Sequence, residues 1–326
     1  MNKQHALQIL AIVIIIAVGI WFTNAQLTGH AVAQEEKIKI GVVEHAAGLP
    51  YFIAIENKYF EAEGLRPEYI YFSTTKPLAD ALAAGQIDAG LITYSLLLGA
   101  EARAPGEFKT ALMVGEDTQH GVLPLLVPVN SSITSISQLK GKKIGLAAAG
   151  MTPIAKIIFG KFFNKNEIEL IDIDSKIQTE VLAAGRVDAL FATEPQATTA
   201  VQKGIGRVLE RSPRAKYVLD PFPAGAAVVF KAKYTEQHPV ETQKIIAALE
   251  RAVDYLRANE TNARAIMAKQ LNLPAGVAEN VPLYQFYKQS EITPTVKQSV
   301  QQLADIMQES KQLDKKVETS ALFYNG

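Results

Sequence analysis

The sequence contains no cysteine. That single absence excludes disulfide staples, thiolate nucleophiles, iron–sulfur clusters and cysteine-based zinc sites. It also excludes the lipidated cysteine that tethers bacterial lipoproteins. Tryptophan occurs once, at Trp21. Neither sign of charge is in excess: 33 Lys+Arg against 33 Asp+Glu give a net charge of zero, which leaves no electrostatic footprint for nucleic acid. Enzyme motifs are equally sparse. There is no phosphate-binding P-loop, no G-x-S-x-G elbow and no H-E-x-x-H. Gly204-Ile205-Gly206-Arg207-Val208-Leu209 opens like a dinucleotide fingerprint but lacks the third glycine and follows a helical stretch, so it reads as a turn. Beyond residue 33 the histidines are His45, His120 and His238, and nothing in their spacing supports a metal site. Asp172-x-Asp174 lacks the rest of a calcium loop and reads as a strand end. No cofactor is implied.

What is present is enough apolar sequence for a sizeable core. The 326 residues are 48% hydrophobic and 20% charged, a globular composition with length for about two domains. At the N-terminus, Lys3 and His5 precede the uncharged apolar run Ala6–Phe22. Its length lies between a signal-peptide core of about 7–15 residues and a membrane span of about 17–25. Ala31-Val32-Ala33 is a small-residue cleavage site, and Thr23-Asn24-Ala25 is an alternative. Residues 1–33 therefore read as a signal peptide or an N-terminal membrane anchor. Either puts the remainder outside the cytoplasmic membrane, in a periplasm or on the outer face of the cell.

From residue 37 onward strands and helices alternate, the pattern of parallel α/β units. Lys37–Val43 reads as a strand, Pro50 opens a helix that runs to Gly64, Tyr69–Phe72 is a strand, 77–84 is a helix stopped by Gly85, and Ala89–Thr93 is a strand. The most informative feature is an internal repeat. Leu82-Ala83-Ala84-Gly85-Gln86-Ile87-Asp88-Ala89 returns as Leu182-Ala183-Ala184-Gly185-Arg186-Val187-Asp188-Ala189, and Lys39-Ile40-Gly41-Val42 returns as Lys143-Ile144-Gly145-Leu146. Each glycine reads as a helix C-cap and each aspartate as the start of a strand. Two similar α/β lobes in tandem follow. Val122–Val129, apolar with two prolines, reads as a crossover rather than a helix or central strand, and Ala224–Phe230 reads as a second one. The expected organisation is lobe 1 over 34–124, lobe 2 over 125–226, and a return to lobe 1 with C-terminal helices over 227–326. Hinges are expected about Leu125–Val129 and Ala226–Phe230. Ile245, Ile246, Leu249, Ala252, Val253 and Leu256 form a helical stripe, a further helix covers Thr295–Gln308, and the polar end Ser310–Gly326 reads as surface.

In open parallel sheets, ligands sit beyond the carboxyl ends of strands. The loops there carry Glu44, His45, Tyr51, Ser73, Thr74, Thr75, Thr93, Tyr94 and Ser95 in lobe 1, and Gly150, Met151, Thr152, Thr193 and Glu194 in lobe 2. The hydroxyl residues double as ordinary N-caps, and the tyrosines as packing residues. Two glutamates and no arginine in these loops favour a neutral or amine-bearing planar solute over a dianion, with a monoanionic sulfonate or a zwitterion left open. Arg103 has no assigned place in this scheme.

The chain resembles the SsuA/TauA-like substrate-binding proteins of ABC importers, the branch that includes nitrate, sulfonate, taurine and thiamine-pyrimidine binders. The resemblance rests on Pro50–Leu65, on Leu82–Asp88, on Ile136–Gly145, on Thr193-Glu194-Pro195 and on the helix Ile245–Asn259. It covers about residues 36–310. It implies a periplasmic binding protein type II fold: two Rossmann-like α/β lobes joined by two hinge strands, with ligand in the cleft between them. It further implies a non-enzymatic receptor for a small-molecule solute, partnered by a permease and an ATPase, and held to the membrane through residues 6–22 if these are not cleaved. The alternatives are an enzyme of the thiamine-pyrimidine synthase type on the same fold, which usually carries a cysteine-rich stretch absent here, and a tethered extracellular sensor domain.

Overall fold

The computed structural model describes residues 36–147, 150–164 and 166–326. The apolar run Ala6–Phe22 and both cleavage motifs lie outside these residues. Among the described residues no helix is long and apolar enough to cross a membrane.

The chain builds two sheets. The first contains β1 (Glu36–Val43), β2 (Leu65–Phe72), β3 (Ala89–Thr93), β4 (Phe108–Glu116), β10 (Phe222–Lys231) and β11 (Gln285–Tyr287), in the order β11-β4-β10-β3-β1-β2. The second contains β5 (Leu125–Pro128), β6 (Lys143–Leu146), β7 (Glu169–Asp172), β8 (Ala189–Phe191) and β9 (Gly206–Glu210), in the order β7-β6-β8-β5-β9. The repeat occupies equivalent places in the two sheets. β1 pairs parallel with β3 through Ile40 and Ala89, and β6 pairs parallel with β8 through Ile144 and Ala189.

The repeated residues form the same lock twice. Gly85 and Gly185 adopt φ of +69° and +62°, the left-handed turn that ends a helix and that a side chain resists. Three residues on, Asp88 Oδ2 accepts from the Lys39 backbone N–H at 2.7 Å, while the Asp88 N–H donates to the Lys39 carbonyl at 2.8 Å. Asp188 makes the matching pair with Lys143, at 2.9 Å and 2.8 Å. Each aspartate thus ties the entry of its own strand to the parallel neighbour, at Lys39 within β1 and at Lys143 where β6 begins.

Two expected crossovers turn out to be strands inside the sheets. Leu125–Pro128 is β5, antiparallel to both β8 and β9. Its prolines stand at the ends of the paired stretch, Pro124 just before it and Pro128 as its last residue, so no interior ladder donor is lost. Ala224–Phe230 lies within β10, antiparallel to both β3 and β4. The chain actually passes between the sheets in residues 117–124 and 211–221. The helix expected from Pro50 to Gly64 is also interrupted. α1 (Leu49–Glu56) ends at Asn57, Lys58 turns left-handed at φ +54°, and a single helical turn follows at Tyr59–Ala62.

The remaining helices that position the site are α2 (Thr75–Ala83), α3 (Tyr94–Arg103), α4 (Met151–Phe159), α5 (Gln178–Ala183) and α6 (Gln196–Gln202). α7 (Pro239–Ala258) packs on α1 and buries Ile245, Ile246, Leu249, Ala252, Val253 and Leu256, the expected stripe. α8 (Glu260–Gln270) also packs on α1, and α9 (Pro294–Glu309) reaches β10. The polar C-terminal stretch is less superficial than its composition suggests. Leu322 and Phe323 are buried, and the Tyr324 N–H donates to the Thr110 carbonyl on β4 at 2.8 Å.

Replacing Asp88 or Asp188 with alanine leaves the Lys39 or Lys143 amide without its acceptor. Each substitution is expected to lower stability by about 1–2 kcal/mol, read as a shifted urea midpoint at unchanged m-value. Two unshifted midpoints would show that the locks carry no stability.

Candidate functional site

Three helices of the two lobes begin at one cavity. α2, α3 and α4 have Thr74, Thr93 and Gly150 as their N-caps, and all three N-caps line a cavity of about 50 Å³ between the sheets. In none of them does the cap side chain bond the first turn, and none carries an acidic residue there. Unsatisfied N–H groups and the positive ends of three helix dipoles therefore converge on the same space.

The polar side chains add donors. His45 Nδ1 accepts from the Ala47 N–H at 3.3 Å, so in the neutral ring the proton sits on Nε2 and that nitrogen donates. Burial pushes the His45 pKa down to about 4, which keeps the ring neutral at physiological pH. Gln178 bridges Thr193 twice, its Oε1 accepting from the Thr193 N–H at 2.9 Å and its Nε2 donating to Thr193 Oγ1 at 2.7 Å. With its oxygen engaged as acceptor, the Thr193 hydroxyl is left to donate. Ser73, Thr75, Ser95 and Ser175 supply further hydroxyls, while Leu123, Ala147, Met151, Ile154, Phe222 and Ala224 give the cavity an apolar side.

The strongest donor comes from outside the strand-end loops. Arg214 lies in the passage 211–221, on the one-turn helix Pro213–Tyr217, and lines the cavity while only 6% exposed. Its Nε donates to Glu116 Oε1 at 2.6 Å, and its guanidinium lies over the Phe222 ring at 4.9 Å. The Tyr284 phenol, its own pKa raised to about 12 chiefly by burial, stands beside it and also lines the cavity. Nη2 is buried and has no hydrogen-bond partner among the described residues. A buried, unpartnered charged donor is costly unless something fills its vacant valence.

Of the sequence-derived residues, His45, Ser73, Thr74, Thr75, Thr93, Ser95, Gly150, Met151 and Thr193 line this cavity together. Five others do not. Glu44 is exposed at the rim, where Lys176 Nζ approaches it at 3.7 Å. Tyr51 is a core residue whose hydroxyl donates to the Ala227 carbonyl at 2.7 Å, and Tyr94 is fully buried in the same core. Thr152 donates to Asp172 Oδ1 at 3.0 Å. Glu194 is 4% exposed and turns away into a separate cavity of about 330 Å³ that it shares with Arg211, Thr198 and Asn280. There its Oε2 accepts from the Thr198 N–H at 3.0 Å, and burial raises its pKa to about 7. The expected charge balance is thereby reversed: among the described residues the lining holds an arginine and no carboxylate.

The lobes meet across the cleft through their own atoms. The Ala46 N–H donates to the Glu194 carbonyl at 3.1 Å, and Ser175 Oγ donates to the Ser73 carbonyl at 3.2 Å. At Gly150, φ is +72° and an added Cβ would sit 2.7 Å from Ser95 Oγ, so glycine is required both by the backbone and by the opposite lobe.

Residues 45–263 match the model of the NMT1/THI5 like family. A Bacillus subtilis (strain 168) protein named for binding aliphatic sulfonates is 24% identical over 300 residues, 90% of this chain and 87% of that protein. Among solved structures, the alkanesulfonate-binding protein SsuA from Xanthomonas axonopodis pv. citri, bound to MOPS, superposes with a TM-score of 0.76 at 19% identity, covering 90% of this chain and all of that one (100%). The desulfurization enzyme DSZB superposes with a TM-score of 0.63 at 15% identity, covering 87% of this chain and 94% of that one. The chain belongs to the NMT1/THI5-like family and carries the two-lobed α/β fold of the periplasmic binding proteins.

Proposed function

We propose that this protein is an extracytoplasmic solute receptor that closes on a small, singly charged organic anion of the sulfonate type and delivers it to an ABC-type importer. The observation that carries this reading is the buried, unpartnered Nη2 of Arg214 in a cavity onto which three helix N-termini converge. Among the described lining residues every oriented polar side chain can donate, none is a carboxylate, and the apolar side suits a short carbon chain. An aminopyrimidine or the ammonium of a zwitterion finds no anionic partner in such a lining. The names of the Bacillus and Xanthomonas relatives support the same ligand class. The permease and ATPase are the partners this role requires. The apolar run Ala6–Phe22 serves as export signal or membrane tether in this reading.

Small alkanesulfonates at about 100 times their dissociation constant should add roughly 2.7 kcal/mol of stability in a thermal-shift assay. Arg214→Gln should weaken calorimetric affinity by about tenfold to a hundredfold, the loss of a charge-assisted donor. A protein that ignores sulfonates, or binds them equally well without Arg214, is not this receptor. A second reading, an enzyme on the same fold, draws on the likeness to DSZB. Mass spectrometry of the incubated ligand separates the two, since a receptor returns it unchanged.

Closure is expected to be a hinge motion about residues 117–124 and 211–221. Ligand should reduce the radius of gyration in small-angle scattering. Gly150→Val, whose side chain meets Ser95 and Thr93 on the opposite lobe, should bind weakly and stay expanded at saturating ligand. Compaction of this variant equal to wild type would rule out the proposed closed interface.

Glu194 gives a pH signature. Its folded-state pKa is raised from 4.5 to about 7, so the folded protein holds the proton more tightly than the unfolded chain. The stability it contributes is complete below about pH 4.5 and is lost as pH rises through about 7, on the order of 3 kcal/mol. Glu194→Gln should flatten this window in denaturation measured against pH. An unchanged slope would place the titration elsewhere.

A further inference from the structure

The buried guanidinium on the cavity lining is matched by a carboxylate behind it. Glu116, 0% exposed, accepts from Arg214 Nε through Oε1 and from the Val122 N–H at 3.0 Å through Oε2. At the rim Lys176 stands against Glu44, and in the neighbouring cavity Arg211 lies within electrostatic reach of Glu194. His45 contributes no charge at neutral pH. The cavity therefore presents a strong directional donor, Nη2, on a guanidinium whose full charge is already balanced from behind. What remains to stabilise an anion is the partial positive charge of three helix ends, about half a unit each before solvent screening.

We propose that Glu116, which does not line the cavity, sets the charge of the ligand: by keeping Arg214 neutralised it makes the site accept singly charged anions and reject doubly charged ones of the same shape. The inference rests on the anion-receptor reading above and names the residue that tunes it. A first negative charge is met by Nη2, by the His45 and Thr193 donors and by the helix ends. A second one meets no uncompensated cation among the described lining residues, and the buried Glu116 carboxylate repels it. Glu116 is thus a positioning and charge-setting residue that acts through Arg214.

Methyl sulfate and methyl phosphate isolate the effect, because they share shape and tail and differ in charge once the second phosphate proton has left near pH 6. Calorimetry at about pH 8 on wild type should favour methyl sulfate by about tenfold or more. Glu116→Gln, which removes the charge at constant shape, should move the affinity ratio toward methyl phosphate by about tenfold. Glu116→Asp, which keeps the charge and disturbs the geometry, should weaken both ligands together and leave the ratio in place. An unchanged ratio in Glu116→Gln, or equal shifts in the Gln and Asp variants, would overturn the proposal. If Glu116→Gln does not fold, wild type alone decides. Between about pH 5 and pH 8 the affinity for methyl phosphate should fall relative to methyl sulfate, and a constant ratio would overturn the proposal. Failure of wild type to bind either ligand instead refutes the anion-receptor reading itself.

Discussion

The buried pair of Glu116 and Arg214 joins the two passages of chain that connect the lobes. Glu116 ends β4 just before the first passage, and Arg214 lies within the second. Removing one partner of such a pair costs about 3–5 kcal/mol, because it leaves the other charge buried and alone. The same carboxylate also holds the Val122 amide, and around it Ser212 Oγ donates to the Thr118 carbonyl while the Thr118 hydroxyl donates to Asp220. The two passages are therefore joined by a polar knot that runs from the buried Glu116–Arg214 pair out to the exposed Thr118 and Asp220. The face of Arg214 left over from that knot is the part that reaches the cavity. One guanidinium thus serves structural cohesion and, in the proposed function, ligand recognition.

Much of the architecture was legible because it is written locally. The Gly85 and Gly185 turns and the Asp88 and Asp188 locks need only eight consecutive residues to declare a helix end and a strand start. Their recurrence announces two lobes. The hydroxyls beyond β2 and β3 followed from the strand-end rule, since helix N-caps and ligand donors are drawn from the same residue types. Arg214 was not legible by that rule. It follows the antiparallel strand β9 and sits in a passage between sheets, where no strand-end argument points. Its one local signal was Ser212-Pro213, a helix opening that places the next residue in a first turn.

The misplaced residues fail for a related reason. Tyr51, Tyr94 and Glu194 each stand next to loop positions, but their side chains face the core or the far side of the chain. A one-residue difference along a helix start or a strand end decides which side of the backbone a group serves, and apolar spacing blurs that difference. Prolines misled in the same way. Pro124 and Pro128 argue against a central strand only if they fall within the ladder, and the sequence does not say that they bracket it.

The pairing of Glu44 with Lys176 and of Arg214 with Glu116 has a kinetic side. Glu44 and Lys176 close the mouth as a neutral couple, Arg214 is balanced by Glu116, and the whole chain carries no net charge. Such a surface casts little field beyond a Debye length. In the receptor role proposed above, a diffusing anion would not be drawn in from a distance and would feel the site only on arrival, when the donors of both lobes take hold of it at once. Capture in that role would vary little with ionic strength, and preference among solutes would lie in how long each one stays.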